Sequence, residues 1–182
     1  MTDLLLWVSR KSSLFVLAMV WALALAGALF VNVQFPWPVR LVGTVLGIFV
    51  LFGYPLLIIF GFPARYSTVI SRGVSIAAVL TVVAAYIASI AGSPTSQPES
   101  VSGIQYVLGF LFGLFIFSPF VIATHVLGEA RRSLGVYKPL DSIGAFTALL
   151  YFAFGGVFFV RAKVSEAVER IAARSAERTQ SG

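Results

Sequence analysis

The sequence predicts an all-α fold, a polytopic transmembrane helical bundle of about five spans. The alternative is four spans plus one re-entrant or interfacial segment. Three observations carry this. Hydrophobic residues make up 59% of the 182 positions and charged residues 11%, against about 45–50% and about 25% in soluble domains. Five apolar runs without a single charge punctuate the chain, and a chain this short has too much surface to hide them all from water. Alternation of period two is absent, which excludes a spanning barrel.

The runs cover residues 14–33, 41–62, 74–92, 104–127 and 143–160. A hydrocarbon layer of about 30 Å needs roughly 20 helical residues, with about 17–25 acceptable, so each run qualifies and the last is the shortest. The first is preceded by Arg10 and Lys11, and Ala24-Leu25-Ala26 has the look of a signal-peptidase site. The run continues to Val33, longer than the ~7–15 residues of a signal core, and a retained helix is expected.

Pro36-Trp37-Pro38 links the first and second runs, where proline stops helices and Trp37 suits the membrane interface. Gly61-Phe62-Pro63 ends the second and leads into Arg65 and Arg72. Residues 92–103 hold Pro94, Pro98 and four serines, and residues 129–141 form the most charged loop, with Glu129, Arg131, Arg132, Lys138 and Asp141. The chain divides into a helical domain over 1–160 and a basic amphipathic tail over 161–182. In that tail Val164, Val168 and Ile171 form a stripe, and Glu166 stands four residues before Arg170.

Orientation follows from Lys and Arg, which are retained on the cytoplasmic side of short loops. A cytoplasmic N-terminus puts Arg10, Lys11, Arg65, Arg72, Arg131, Arg132 and Lys138 inside and leaves Arg40 outside. The tail conflicts with this, because five full spans would export Arg161, Lys163, Arg170, Arg174 and Arg178. Either the run at 143–160, with its Gly155-Gly156 pair, turns back, or a diluted positive charge is exported. Five full spans are the first expectation. Size and short loops point to a bacterial inner membrane protein.

Small residues mark the helix faces. Gly43-xxx-Gly47 and Gly109-xxx-Gly113 are the clearest helix-packing signals, since lipid offers no hydrophobic drive between helices and close backbone approach must supply the association. The expected use is packing within one protomer, with an oligomer interface second. Pro55 and Pro119 fall inside their runs and predict kinks. A shift of 66 residues lays Gly43 and Gly47 on Gly109 and Gly113, and Arg65 on Arg131. That would be a parallel repeat of two hairpins, as in some transporters.

Functional chemistry is sparse. There is no Cys and one His, so thiolate sites, disulfides and histidine metal clusters are out, and no catalytic, cofactor or metal residue is assigned. No enzyme is predicted. The intramembrane polar set is Thr44, Thr81, Ser89, Ser118, Thr124 and Thr147, without a charge, which disfavours ion-coupled pumps and voltage sensors. His125 and Glu129 share a helix face with Ser118 and form a candidate polar or pH-sensitive pair. The net charge of +6 is spread over loops and tail rather than one module, so nucleic acid is not an expected partner. The expected partners are the lipid bilayer and either a second copy or another membrane protein. A non-catalytic helix-packing subunit is the leading reading; a homo-oligomeric channel or pore-forming effector and a small dimeric transporter are the alternatives.

Overall fold

A computed structural model describes residues 2–30, 35–91, 103–150 and 156–180. These residues are helical and contain no strand. In chain order they form α1 (Thr2–Arg10), α2 (Ser13–Phe30), α3 (Trp37–Gly61), a 3₁₀ turn (Ala64–Tyr66), α4 (Val69–Ala91), α5 (Gly103–Ser133), α6 (Pro139–Leu150) and α7 (Gly156–Gln180). Three stretches are long and apolar enough to cross a membrane, Trp37–Gly61, Val69–Ala88 and Val107–Ser133, and Leu14–Leu29 is a shorter apolar helix. The loop at 92–103 lies outside the described residues up to Ser102.

α3 is the central strut, packed by α1, α2, α4 and α5. Pro38 stands at its start, where the missing N–H costs nothing. The helix continues through Pro55, as α5 continues through Pro119. The core lies where these two meet: Phe52 and Phe120 are fully buried, their rings 5.6 Å apart, among Ile58, Ile59 and Leu127. α2 reaches α3 through Gly27, where a Cβ would stand 3.0 Å from the Gly43 carbonyl oxygen and 3.3 Å from Gly47 N. That close approach uses Gly27 and the Gly43 end of the first small-residue ridge; a Cβ on Gly47 would meet nothing within 4 Å.

Most of α4 and α5 is uncovered. Only 11% and 17% of their apolar windows are buried by the rest of the chain, against 44% for α3. Phe110, Leu111, Leu114 and Val121 stand exposed on α5. Such a surface suits hydrocarbon and is costly in water.

The expected fifth helix over 143–160 is not one continuous helix. α6 ends at Leu150 and α7 begins at Gly156, and the two pack against each other. The contacts run in opposite senses: a Cβ on Gly144 would meet the Phe159 ring, and one on Gly156 would collide with the Ala148 backbone. The chain therefore reverses between them. The described part of α6 has 12 residues, about 18 Å at about 1.5 Å each. Gly156 permits the close packing, since it has no side chain to hold the two helices apart. Gly155 and the rest of 151–155 lie outside the described residues.

This reversal brings α7 back to the end of the bundle where α5 finishes. Arg131 on α5 meets Glu166 on α7 at 2.5 Å, and Arg174 Nη1 donates to the Ser133 carbonyl at 2.9 Å. Leu5 of α1 lies against Gly61 at the end of α3, and α1 also touches α7. The tail's apolar stripe is spent in this packing, with Val164 and Val168 buried and Ile171 packed against the core.

The 66-residue repeat does not extend to both arms of its hairpins. α4 runs 23 residues unbroken, while its counterpart at 135–157 contains the end of α6 and the reversal into α7.

Candidate functional site

The polar chemistry of the described residues collects at the end of the bundle where α3 and α5 finish and α4 begins. α5 has 31 residues and so measures about 46 Å, well beyond a ~30 Å layer. Its last turns carry Glu129, Arg131 and Arg132 clear of the apolar part. Gly135, at φ +74°, then stops the helix in a left-handed turn: Val136 N donates to the Arg131 carbonyl at 3.1 Å and Gly135 N to that of Arg132 at 3.0 Å. This pair of bonds is the Schellman arrangement that glycine permits.

The turn from α3 to α4 is fixed by its own polar side chains. Ser67 Oγ donates to the Ile59 carbonyl at 3.2 Å and accepts from Arg72 Nε at 2.8 Å. Thr68 begins α4: its Oγ1 accepts from Ser71 N at 3.1 Å and its carbonyl from Arg72 N. Tyr66 ties the turn to α5. Ser133 Oγ donates to the Ala130 carbonyl at 2.8 Å, so in the 2.9 Å contact between Tyr66 and Ser133 the phenol is the donor.

Between this turn, the end of α5 and the middle of α7 lies an open cleft of about 650 Å³. Arg65, Arg132 and Arg174 line it, one from each of the three elements, and Glu129 is its carboxylate. Glu129 is engaged by Arg132, whose guanidinium also lies 4.8 Å from the Tyr137 ring centre. Arg174 gives one donor to Ser133. Arg65 sits over the Tyr66 ring at 4.7 Å and makes no hydrogen bond among the described residues. With Glu129 committed to Arg132, the remaining character of the cleft is cationic.

Behind the cleft, Arg131 is buried and Glu166 half-exposed, and Glu166 also receives Arg170 at 3.1 Å. Arg131's hydrogen bond, ahead of the neighbouring positive charges, holds the Glu166 carboxyl below its ordinary value, while partial burial works against it.

The sequence-predicted residues are placed as follows. His125 and Glu129 both line the cleft, yet Glu129 pairs with Arg132 and His125 is exposed without a hydrogen-bond partner among the described residues. Ser118, on the same helix, lies outside the cleft lining, and its hydroxyl is buried without a partner. Gly43 is buried, its carbonyl under Gly27 of α2, whereas Gly47 is exposed and a Cβ on it would meet nothing within 4 Å. A Cβ at Gly109 or Gly113 would meet nothing within 4 Å, so no described element of the same chain covers that ridge. Thr44, Thr81 and Thr124 each donate to the carbonyl four residues earlier, at 3.0, 2.7 and 2.9 Å. Their hydroxyls are thus turned onto their own helices. The Ser89 side chain is outside the described set. No group of three or more His, Asp or Glu among the described residues is placed to hold a metal.

Arg65, Thr68 and Arg174 were not assigned to a site from sequence, since Arg174 lies more than a hundred residues beyond the Arg65–Thr68 turn. The one readable signal was the run of basic residues assigned to the same side. The class that fold and cleft define is a helical bundle with membrane-length apolar helices and a cationic cleft at one end. No family model matches the chain, and neither a curated protein nor a solved structure matches it.

Proposed function

We propose that the chain is a non-catalytic, helix-packing component of a membrane assembly, formed with further copies of itself or with another membrane protein. It sits in a bacterial inner membrane with its N-terminus in the cytoplasm. In this reading α2, α3, α4 and α5 cross the bilayer, the α6–α7 hairpin enters from the cytoplasmic side and returns, and the tail joins the basic residues there. The positive-inside tendency then holds for every basic side chain assigned to a side except Arg40, and the conflict with an exported tail disappears.

The observation that carries the assembly reading is the open ridge of α5. Gly109 and Gly113 leave a shallow groove that nothing within the described chain fills, on a helix face exposed along most of its apolar length. Small residues at this spacing support close helix association in lipid. A conducting path lined by Thr44, Thr81 and Ser118 draws less support, because both threonine hydroxyls are hydrogen-bonded to their own backbones and Ser118 alone is left to line it.

The chain has no cysteine, so single-cysteine variants Gly109→Cys and Gly113→Cys can be oxidised in native membranes without background. A cross-linked dimer or a defined adduct at 109 or 113, absent for a cysteine at the α2-covered Gly43, is the expected result. A monomeric, partner-free protein with no cross-link at either position would end this reading.

A further inference from the structure

We propose that the cleft between the α3–α4 turn, the end of α5 and α7 is a binding site for a phosphate group, borne by a lipid headgroup or by a soluble phosphorylated compound. Four features converge there. First, the cleft is lined by three guanidinium groups and one carboxylate, and the carboxylate is used by Arg132. Arg65 keeps all its donors and Arg174 most of them. Guanidinium forks match phosphate oxygens in geometry and charge.

Second, α4 starts at the cleft. Thr68 lines it, and because Thr68 Oγ1 accepts from Ser71 N, its hydroxyl proton remains for a ligand. The first-turn N–H groups of Val69 and Ile70 have no acceptor within the helix, and the positive end of a 23-residue helix favours an anion.

Third, the other hydroxyls are already committed. Ser67 and Ser133 have their protons on carbonyls and their lone pairs on Arg72 and Tyr66. They hold the walls in place, and the free donors belong to Arg65, Arg174, Thr68 and the His125 imidazole. The unspent acceptors are fewer, the second Glu129 oxygen and one His125 nitrogen, and a site with more free donors than acceptors favours an anion with several oxygens.

Fourth, the space suits a phosphate with its substituent. About 650 Å³ is within the ~300–1,000 Å³ of small-molecule sites. Beside Thr68, Val69 and Ile70 are 87% and 78% exposed. Two bare aliphatic residues next to a cationic cleft fit the boundary between headgroups and acyl chains.

The test uses the full chain in neutral detergent with added phosphatidic acid or inorganic phosphate, reading complexes by native mass spectrometry and thermal shift. Wild-type protein is expected to retain phosphatidic acid over phosphatidylcholine at least tenfold. Arg65→Gln, which breaks no hydrogen bond, is expected to weaken retention about tenfold. Glu129→Gln frees Arg132 and is expected to strengthen it several-fold, an opposite sign that misfolding would not produce. Lys138→Gln removes an exposed charge outside the cleft and is expected to change retention less than twofold. Stabilisation by inorganic phosphate identifies a soluble ligand as sufficient; stabilisation by phosphatidic acid alone identifies the lipid source. Failure of both probes overturns the proposal. So does equal loss in Arg65→Gln and Lys138→Gln, which would mean diffuse charge attraction rather than a site.

Discussion

Replacing Glu166 by Gln should loosen α7 from α5 more than replacing Arg131 by Met. The Arg131 side chain is 8% exposed and that of Glu166 37%. Removing the carboxylate leaves a buried guanidinium with the Val136 carbonyl, at 3.1 Å, as a remaining acceptor. Removing the guanidinium leaves a carboxylate in reach of water that still has Arg170 at 3.1 Å. Breaking a wholly buried pair costs about 3–5 kcal/mol, and a solvent-exposed pair contributes about 0–1 kcal/mol. This pair is intermediate, and a glutamine retains one neutral acceptor. About 2 kcal/mol is expected for Glu166→Gln, near the ~1.5–3 kcal/mol of a hydrogen bond to a charged group, and about 1 kcal/mol for Arg131→Met. The larger loss is roughly a thirtyfold change in the folded-to-unfolded ratio. SDS-titrated unfolding of the detergent-solubilised protein reads it, with limited proteolysis at the tail arginines as a local readout. If Glu166→Gln is silent, or if Arg131→Met is the more damaging, the asymmetry drawn from burial is wrong.

Gly156→Ala puts a Cβ into the Ala148 backbone; the hairpin should open, at about 1–3 kcal/mol for such overpacking, read as faster proteolysis of α7. Gly27→Leu should separate α2 from α3, where a Cβ already stands 3.0 Å from the Gly43 carbonyl oxygen, and lower the melting temperature. Gly113→Leu, in open space, should leave the monomer's melting temperature unchanged and reduce cross-linked assembly. Protection of the tail should depend on pH with one sign: the Glu166 carboxyl is held below its ordinary value of 4.5 by the Arg131 hydrogen bond, so its contribution is present above that value and lost as pH falls through the lower folded value. Proteolysis at the tail should be flat from about pH 8 to 5 and rise below about pH 4, and Glu166→Gln should flatten the profile.

The long apolar helices were legible because twenty charge-free residues have few other solutions. α3, α4 and α5 follow the runs at 41–62, 74–92 and 104–127. α5 runs six residues further, and α4 starts five residues earlier, because charged turns continue a helix wherever a cap such as Thr68 or Gly135 permits. α1 was not read. Its nine residues carry one buried stripe, Leu5 and Val8, too short to register as a span. The break in 143–160 was signalled by Gly155-Gly156 and by the basic tail, but composition alone favoured crossing, since apolarity does not report direction. The cleft was legible only as His125 and Glu129 on one helix face. Its other groups come from the α3–α4 turn and from α7, and their meeting depends on the reversal after α6.

That reversal is best tested by the side of the membrane on which the two ends lie. A reporter active only in the cytoplasm, fused in turn to the N-terminus, to the loop at 92–102 and to the C-terminus, reads all three. Activity at both termini and none at the loop is predicted. Activity at the N-terminus with none at the C-terminus would mean that 143–160 crosses the bilayer, and would contradict the hairpin, the shared basic face and the cleft together.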